Sequence, residues 1–281
     1  MTHRSLKSVK AALLGTLLVL GACQTTNPSQ KVTYPTAAMP GLSAPADIRS
    51  EIYRPQGEGP FPAVMVLHGC GGMDNHHHAW AKTLTSWGYV AAVVDSFGSR
   101  GHGNLCATPT PVVLPKDRIS DIIGMAEFLN TQSYVQKGSL GLIGFSHGGW
   151  TIMKALQEQY HLKEYGIRGA VAYYPYCDPR ADGDIAVSLL ILMGAEDKWT
   201  PADRCRQLET EKRLKRPELV EMVFYPNTWH SFDQAIPLRD VTVRGVGNVI
   251  GQHKIGYVAA SAEDAERRTR AYFDRLFKRA N

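Results

Sequence analysis

Short apolar runs alternate along the chain with stretches in which apolar residues recur every three or four positions. Ala63–His68, Tyr89–Asp95, Leu140–Phe145, Gly169–Tyr174, Ser188–Met193 and Leu219–Phe224 form the runs. They are continuously apolar, as strands buried on both faces must be. Between them, His77–Trp87, Lys116–Asn130 and Asp203–Leu214 have helical spacing, clearest at Ile119, Ile122, Ile123, Ala126 and Leu129. Ser261–Lys278 closes the chain as a further helix. This alternation predicts an α/β architecture, a mostly parallel central sheet with helices on both faces. Ile48–Tyr53 reads as an antiparallel edge strand, and the Gly-punctuated stretch 237–257 fits no element.

The N-terminal end follows a different pattern. His3, Arg4, Lys7 and Lys10 precede an apolar run, Ala11–Leu20. That run is about half the length a membrane span needs, so it reads as an export signal. It ends in Leu20-Gly-Ala-Cys23, which resembles the lipobox of bacterial lipoproteins. The resemblance implies cleavage before Cys23, acylation of that residue and a lipid-anchored protein of the cell envelope. Gln24 after the cysteine points to the outer membrane, facing the periplasm. Residues 24–46 are rich in Thr, Ser, Ala and Pro and show no periodicity. The expected organisation is a signal peptide over 1–22, a lipidated tether over 23–46 and a catalytic domain over 47–281.

Composition narrows the partners. The 281 residues are 44% hydrophobic and 20% charged, which excludes a disordered chain or a coiled coil. Lys and Arg total 31 against 26 acidic residues. Without Arg4, Lys7 and Lys10 the balance is 28 against 26, too small for a nucleic-acid footprint. No nucleotide-binding glycine pattern stands in a strand–helix setting, so no cofactor is expected. His76, His77 and His78 tempt a metal reading, but consecutive residues at a helix start point in different directions.

The chemistry concentrates at strand ends. Gly144-Phe-Ser-His-Gly148 follows an apolar strand and precedes a helix, the strand–turn–helix setting of a nucleophile elbow with Ser146 at its tip. A serine nucleophile needs a base, and the base an orienting acid. His230 follows the last parallel strand; His253 is its rival, in a segment detached from any strand end. Asp197 follows the strand Ser188–Met193, with Glu196 beside it and Asp178 as an alternative one strand earlier. Two backbone N–H groups must receive the oxyanion. His147 supplies one and Cys70, in Leu67-His-Gly-Cys-Gly-Gly72, the other. Tyr176 is a candidate pocket wall.

With these elements in the order Ser, Asp, His, the chain resembles the α/β-hydrolase fold. Over about Ile48–Phe277 it is similar to the dienelactone hydrolase family. The resemblance rests on the Cys70 loop, Val94-Asp-Ser-Phe-Gly-Ser-Arg100, the Ser146 elbow, Gly194-x-x-Asp197 and His230-Ser-Phe232. It implies a cofactor-independent hydrolase of small esters or lactones. Two departures stand out. The family's namesakes carry cysteine where this chain has Ser146. They also bind a substrate carboxylate with two arginines, of which Arg100 matches the first while Gln234 stands at the second. A peptidase, an acyltransferase or a catalytically silent binding lipoprotein on the same fold are the competing readings.

Lipidation of Cys23 would leave four cysteines. In the usual strand order of this fold, Cys70 and Cys106 follow neighbouring strands, as do Cys177 and Cys205. Cα atoms must come within about 7 Å to bridge, which favours Cys70–Cys106 and Cys177–Cys205 over crossed pairings. Four free thiols are the alternative.

Overall fold

The computed structural model describes residue 1 and residues 28–38, 41–42, 45–106, 108, 113–244 and 250–278. The proposed signal peptide and Cys23 lie outside the described residues. Strands β1 (Gln30–Pro35), β2 (Asp47–Tyr53), β3 (Phe61–Leu67), β4 (Val90–Val94), β5 (Val135–Phe145), β6 (Ile167–Tyr173), β7 (Ser188–Gly194) and β8 (Val220–Tyr225) form one sheet in the order β1-β2-β4-β3-β5-β6-β7-β8. The pairings from β4 to β8 are parallel, and β1 and β2 are antiparallel. This is the α/β-hydrolase architecture expected from the apolar runs.

The helices α1 (Asn75–Ser86), α2 (Pro115–Thr131), α3 (His147–Ala155), α4 (Ala202–Thr210) and α5 (Ala259–Lys278) cover it. Strand periodicity separates its two faces. On β5, a Cβ at Gly141 would meet Phe273 and Phe277 of α5, whereas one at Gly144 would meet Ile152 of α3. Positions of opposite parity therefore face α5 and α3. Trp80 of α1 joins the α5 side, 5.4 Å from the Tyr173 ring, and α2 packs on α3.

Two sequence expectations need correction. Residues 30–37 are not tether: β1 pairs with β2 over six registers, and Ala37 N–H donates to Ser120 O on α2. An edge strand buries one face only, here through Tyr34, so it carries no apolar run. Consequently β2 is the second strand of the sheet and β1 its edge. The unassigned stretch 237–257 contains a separate antiparallel ribbon, β9 (Arg239–Arg244) and β10 (Ile250–Ile255).

The α5 face is closed by Phe273, fully buried, which stacks on Phe277 at 5.9 Å and meets Tyr89 at 6.1 Å. Phe273→Ala should destabilise the fold by about 3–5 kcal/mol in urea titration while the surviving folded protein keeps its turnover number. A loss below about 1 kcal/mol would mean that this layer repacks freely.

Candidate active site

Steric constraint comes first. Ser146 sits between β5 and α3 at φ 52°, ψ −110°, a region a side chain adopts only under compulsion. A Cβ at Gly148 would lie 2.2 Å from Leu67 O, and one at Gly144 2.6 Å from the Gly148 carbonyl. No residue but glycine fits either place. The Ser146 amide donates to Tyr173 O at 3.0 Å, and its carbonyl accepts from Trp150 N–H at 2.8 Å, which starts α3.

The structure brings Ser146, His230 and Asp197 together. His230 Nε2 lies 2.9 Å from Ser146 Oγ, and His230 Nδ1 lies 2.7 Å from Asp197 Oδ2. Asp197 cannot donate when ionised, so Nδ1 carries the proton and Nε2 offers its lone pair to the serine. Asp197 Oδ1 accepts from the Trp199 and Thr200 amides at 2.8 and 3.0 Å. Thr200 Oγ1 lies 3.0 Å from both Asp197 Oδ2 and Tyr174 O, tying the acid loop to the end of β6. The imidazole sits between Tyr174 and Trp199, with ring centroids at 4.6 and 4.7 Å. His253, on β10, stacks on Trp199 at 6.1 Å, and neither of its ring nitrogens has a hydrogen-bond partner among the described residues.

Cys70 follows β3 and His147 opens α3. Among the described residues neither backbone N–H donates to any acceptor, leaving both available to an incoming oxyanion. Cys70 is bonded to Cys106 (Cα–Cα 4.9 Å), joining the loops after β3 and β4, and Cys177 to Cys205 (5.0 Å), joining the loop after β6 to α4. The His147 imidazole is pushed down to about 3 by burial and by the Arg118 charge, so it is neutral at any ordinary pH.

The Arg100 expectation does not fit the structure. Its guanidinium grips Asp121 of α2 with two bonds, 2.7 and 2.9 Å, and donates to Ser96 O at 2.9 Å. An arginine held this way is a scaffold ion pair, closed to a substrate carboxylate. Tyr176 packs edge-on to Trp150 at 5.4 Å, with Arg204 over its ring at 4.8 Å. Trp150 in turn lies edge-on to the His147 ring at 5.6 Å.

The three consecutive histidines go three ways. His77 completes the capping box of α1 with Asp74, and His78 Nδ1 meets Tyr53 OH at 2.8 Å. His76 Nε2 lies 3.1 Å from Oδ2 of Asp233, a buried carboxylate that also accepts from Trp80 Nε1 (3.0 Å) and Tyr174 OH (2.7 Å). Sequence reasoning missed Asp233, although it stands three residues after His230. A cleft of about 640 Å³ opens beside this cluster, lined by Asp74, His76, Trp80, Asp233, Glu263 and Glu266, and excludes Ser146 and His230.

The model of the dienelactone hydrolase family matches residues 48–277. An Escherichia coli protein named "Putative carboxymethylenebutenolidase" is 23% identical over 235 residues, 78% of each chain. A Bradyrhizobium protein named "Probable 2-oxo-3-(5-oxofuran-2-ylidene)propanoate lactonase" is 21% identical over 192 residues, 64% of this chain and 77% of that one. Among solved structures, a dienelactone hydrolase-like promiscuous phosphotriesterase from metagenomic libraries superposes with a TM-score of 0.65 at 18% identity, covering 89% of this chain and all of the other.

Burial alone pushes the His76 imidazolium down, but the Asp233 charge, the hydrogen bond to Asp233 and the Asp74 charge together outweigh it and leave its pKa raised. A raised folded-state pKa contributes stability below the unfolded value and loses it as pH climbs through the folded one. His76→Gln should therefore lower the melting temperature most near about pH 5.5 and least near about pH 9. Equal losses at the two pH values would show that the ion pair contributes nothing.

Proposed function

The chain belongs to the dienelactone hydrolase family, a family of hydrolases, and on that premise we propose that it cleaves small carboxylic esters or lactones with Ser146 as nucleophile, His230 as base and Asp197 as orienting acid. The observation that carries this reading is the unbroken run of short contacts from Asp197 Oδ2 through His230 to Ser146 Oγ. Ser146 Oγ attacks the carbonyl carbon as its proton passes to His230 Nε2. The carbonyl oxygen, now an anion, takes the Cys70 and His147 N–H bonds. Collapse of the tetrahedral species expels the alcohol, protonated by His230; in a lactone it stays attached as the hydroxyl end of the product. Water, deprotonated by the same imidazole, then attacks the acyl-serine and releases the acid. An intact, hydrogen-bonded triad argues against a silent binding protein.

Substrate charge follows from the Arg100–Asp121 pair. With that guanidinium held and Gln234 at the position of the family's second arginine, the reading favours neutral esters over those with a free carboxylate. For location, a lipid anchor at Cys23 in the cell envelope is the reading, supported by two disulfides that suit an oxidising compartment.

A fluorophosphonate probe should label the wild type and not Ser146→Ala, whose turnover should fall by at least about 10⁴-fold. Asp197→Asn should lose about 10⁴-fold in kcat, because the amide no longer selects the Nδ1–H tautomer. An unlabelled wild type would sink the proposal. On p-nitrophenyl esters, butyrate should be cleaved with a higher kcat/KM than the hemisuccinate of similar length, and the reverse order would refute the argument from Arg100.

A further inference from the structure

Arg118 is among the largest fully buried side chains of the protein, and the mechanism above leaves it unused. It stands on α2 beside Ile119 and Ile122, on the helix's buried face. Its Nη1 donates to His68 O at 2.9 Å and lies 3.0 Å from His147 Nδ1. An arginine can only donate, so Nδ1 of His147 is the bare nitrogen and Nε2–H points to Val113 O, 3.2 Å away. The two groups Arg118 holds belong to the two segments that carry the oxyanion donors. His68 O is two residues before the Cys70 amide, and His147 bears the other amide itself.

Stability does not account for this residue. Its Nε and Nη2 have no hydrogen-bond partner among the described residues, and the neighbouring Asp121 carboxylate is gripped by Arg100. Its guanidinium lies 5.2 Å from the centre of the Phe97 ring, but a buried cation with two N–H groups unpaired still costs stability relative to an apolar side chain of its size. Burial lowers its pKa only to about 10, so it stays charged at neutral pH.

We propose that Arg118 is a positioning residue for the oxyanion hole, clamping the His68 carbonyl and the His147 imidazole so that the Cys70 and His147 amides keep a fixed separation, with a buried positive charge behind them. The inference rests on the reading of Ser146 as nucleophile. Charge that develops on the substrate oxygen then meets donors and a field set before the reaction begins. Such preorganisation acts on the transition state and not on ground-state binding. The expected signature is a loss in kcat with KM nearly unchanged.

The test compares Arg118→Met and Arg118→Lys with wild type on p-nitrophenyl butyrate, together with inhibition by an alkyl trifluoromethyl ketone, which forms a tetrahedral adduct at the serine. Arg118→Met should lower kcat by about 10²-fold, the order lost with one oxyanion donor, and weaken the ketone by the same factor. Its KM should stay within about threefold. Lysine should restore part of the loss, since an ammonium supplies the charge but not a fork spanning two acceptors. His147 gives a second, independent arm. His147→Asn keeps an acceptor for Arg118 and should retain more kcat than His147→Leu, which keeps the amide, removes the acceptor and should behave like Arg118→Met. If Arg118→Met shows no cooperative melt, the His147 pair decides. Unchanged kcat and ketone affinity in a folded Arg118→Met, or equal activity of the two His147 variants, would overturn the proposal. A wild type inert to both ester and ketone would instead overturn the serine-hydrolase reading, and this inference with it.

Discussion

Ser146 holds a backbone conformation that costs about 1–3 kcal/mol, and the site is built by whatever enforces it. The enforcement is steric and local to β5, the strand between β3 and β6. Gly144 and Gly148 let α3 press against the end of β3, and Tyr173 O on β6 fixes the serine amide. With the elbow set, the Ser146 hydroxyl stands at the carboxyl edge of the sheet. The same turn exposes the His147 amide one residue on. Asp197 and His230 come from the ends of β7 and β8, on the other side of β6, and the parallel register determines how far their loops must reach.

How much of this was legible in the sequence depends on how local each cause is. The parallel strands were readable because burial on both faces demands continuous apolar runs. The elbow was readable because its glycines answer a clash within five residues, and Asp197 and His230 because they stand just past strand ends. The first edge strand hid among Ser, Thr and Pro because its outer face meets solvent. Arg100 misled for the opposite reason. Its motif matches the family's, but the residue that redefines it, Asp121, lies on another element and leaves no mark near Arg100. Asp233 and Arg118 share that property, since their partners are assembled only by the fold.

The histidines around the elbow show how one side chain is set to different charge states by its neighbours. His68 is buried and His147 half-buried beside Arg118, and both desolvation and that cation push them toward the neutral form. His76, on the opposite face of the sheet, meets the Asp233 carboxylate and is drawn toward the charged form. Asp233 also holds Tyr174, whose ring backs the His230 imidazole. A cation therefore stands on the side of the His147 amide and an anion on the side of His230, the signs that the proposed attack by Ser146 would call for at each.

The two disulfides close chain segments of 36 and 28 residues. In the chain-entropy account each removes about 3.5–4 kcal/mol of freedom from the unfolded ensemble. Both lie at the edge of the sheet from which the functional loops emerge, ordinarily the part of such a fold that opens first. These cross-links oppose that tendency at the Cys70 loop and at the segment carrying Asp197, while the His230 loop is held instead through its bridge to Ile255 of β10.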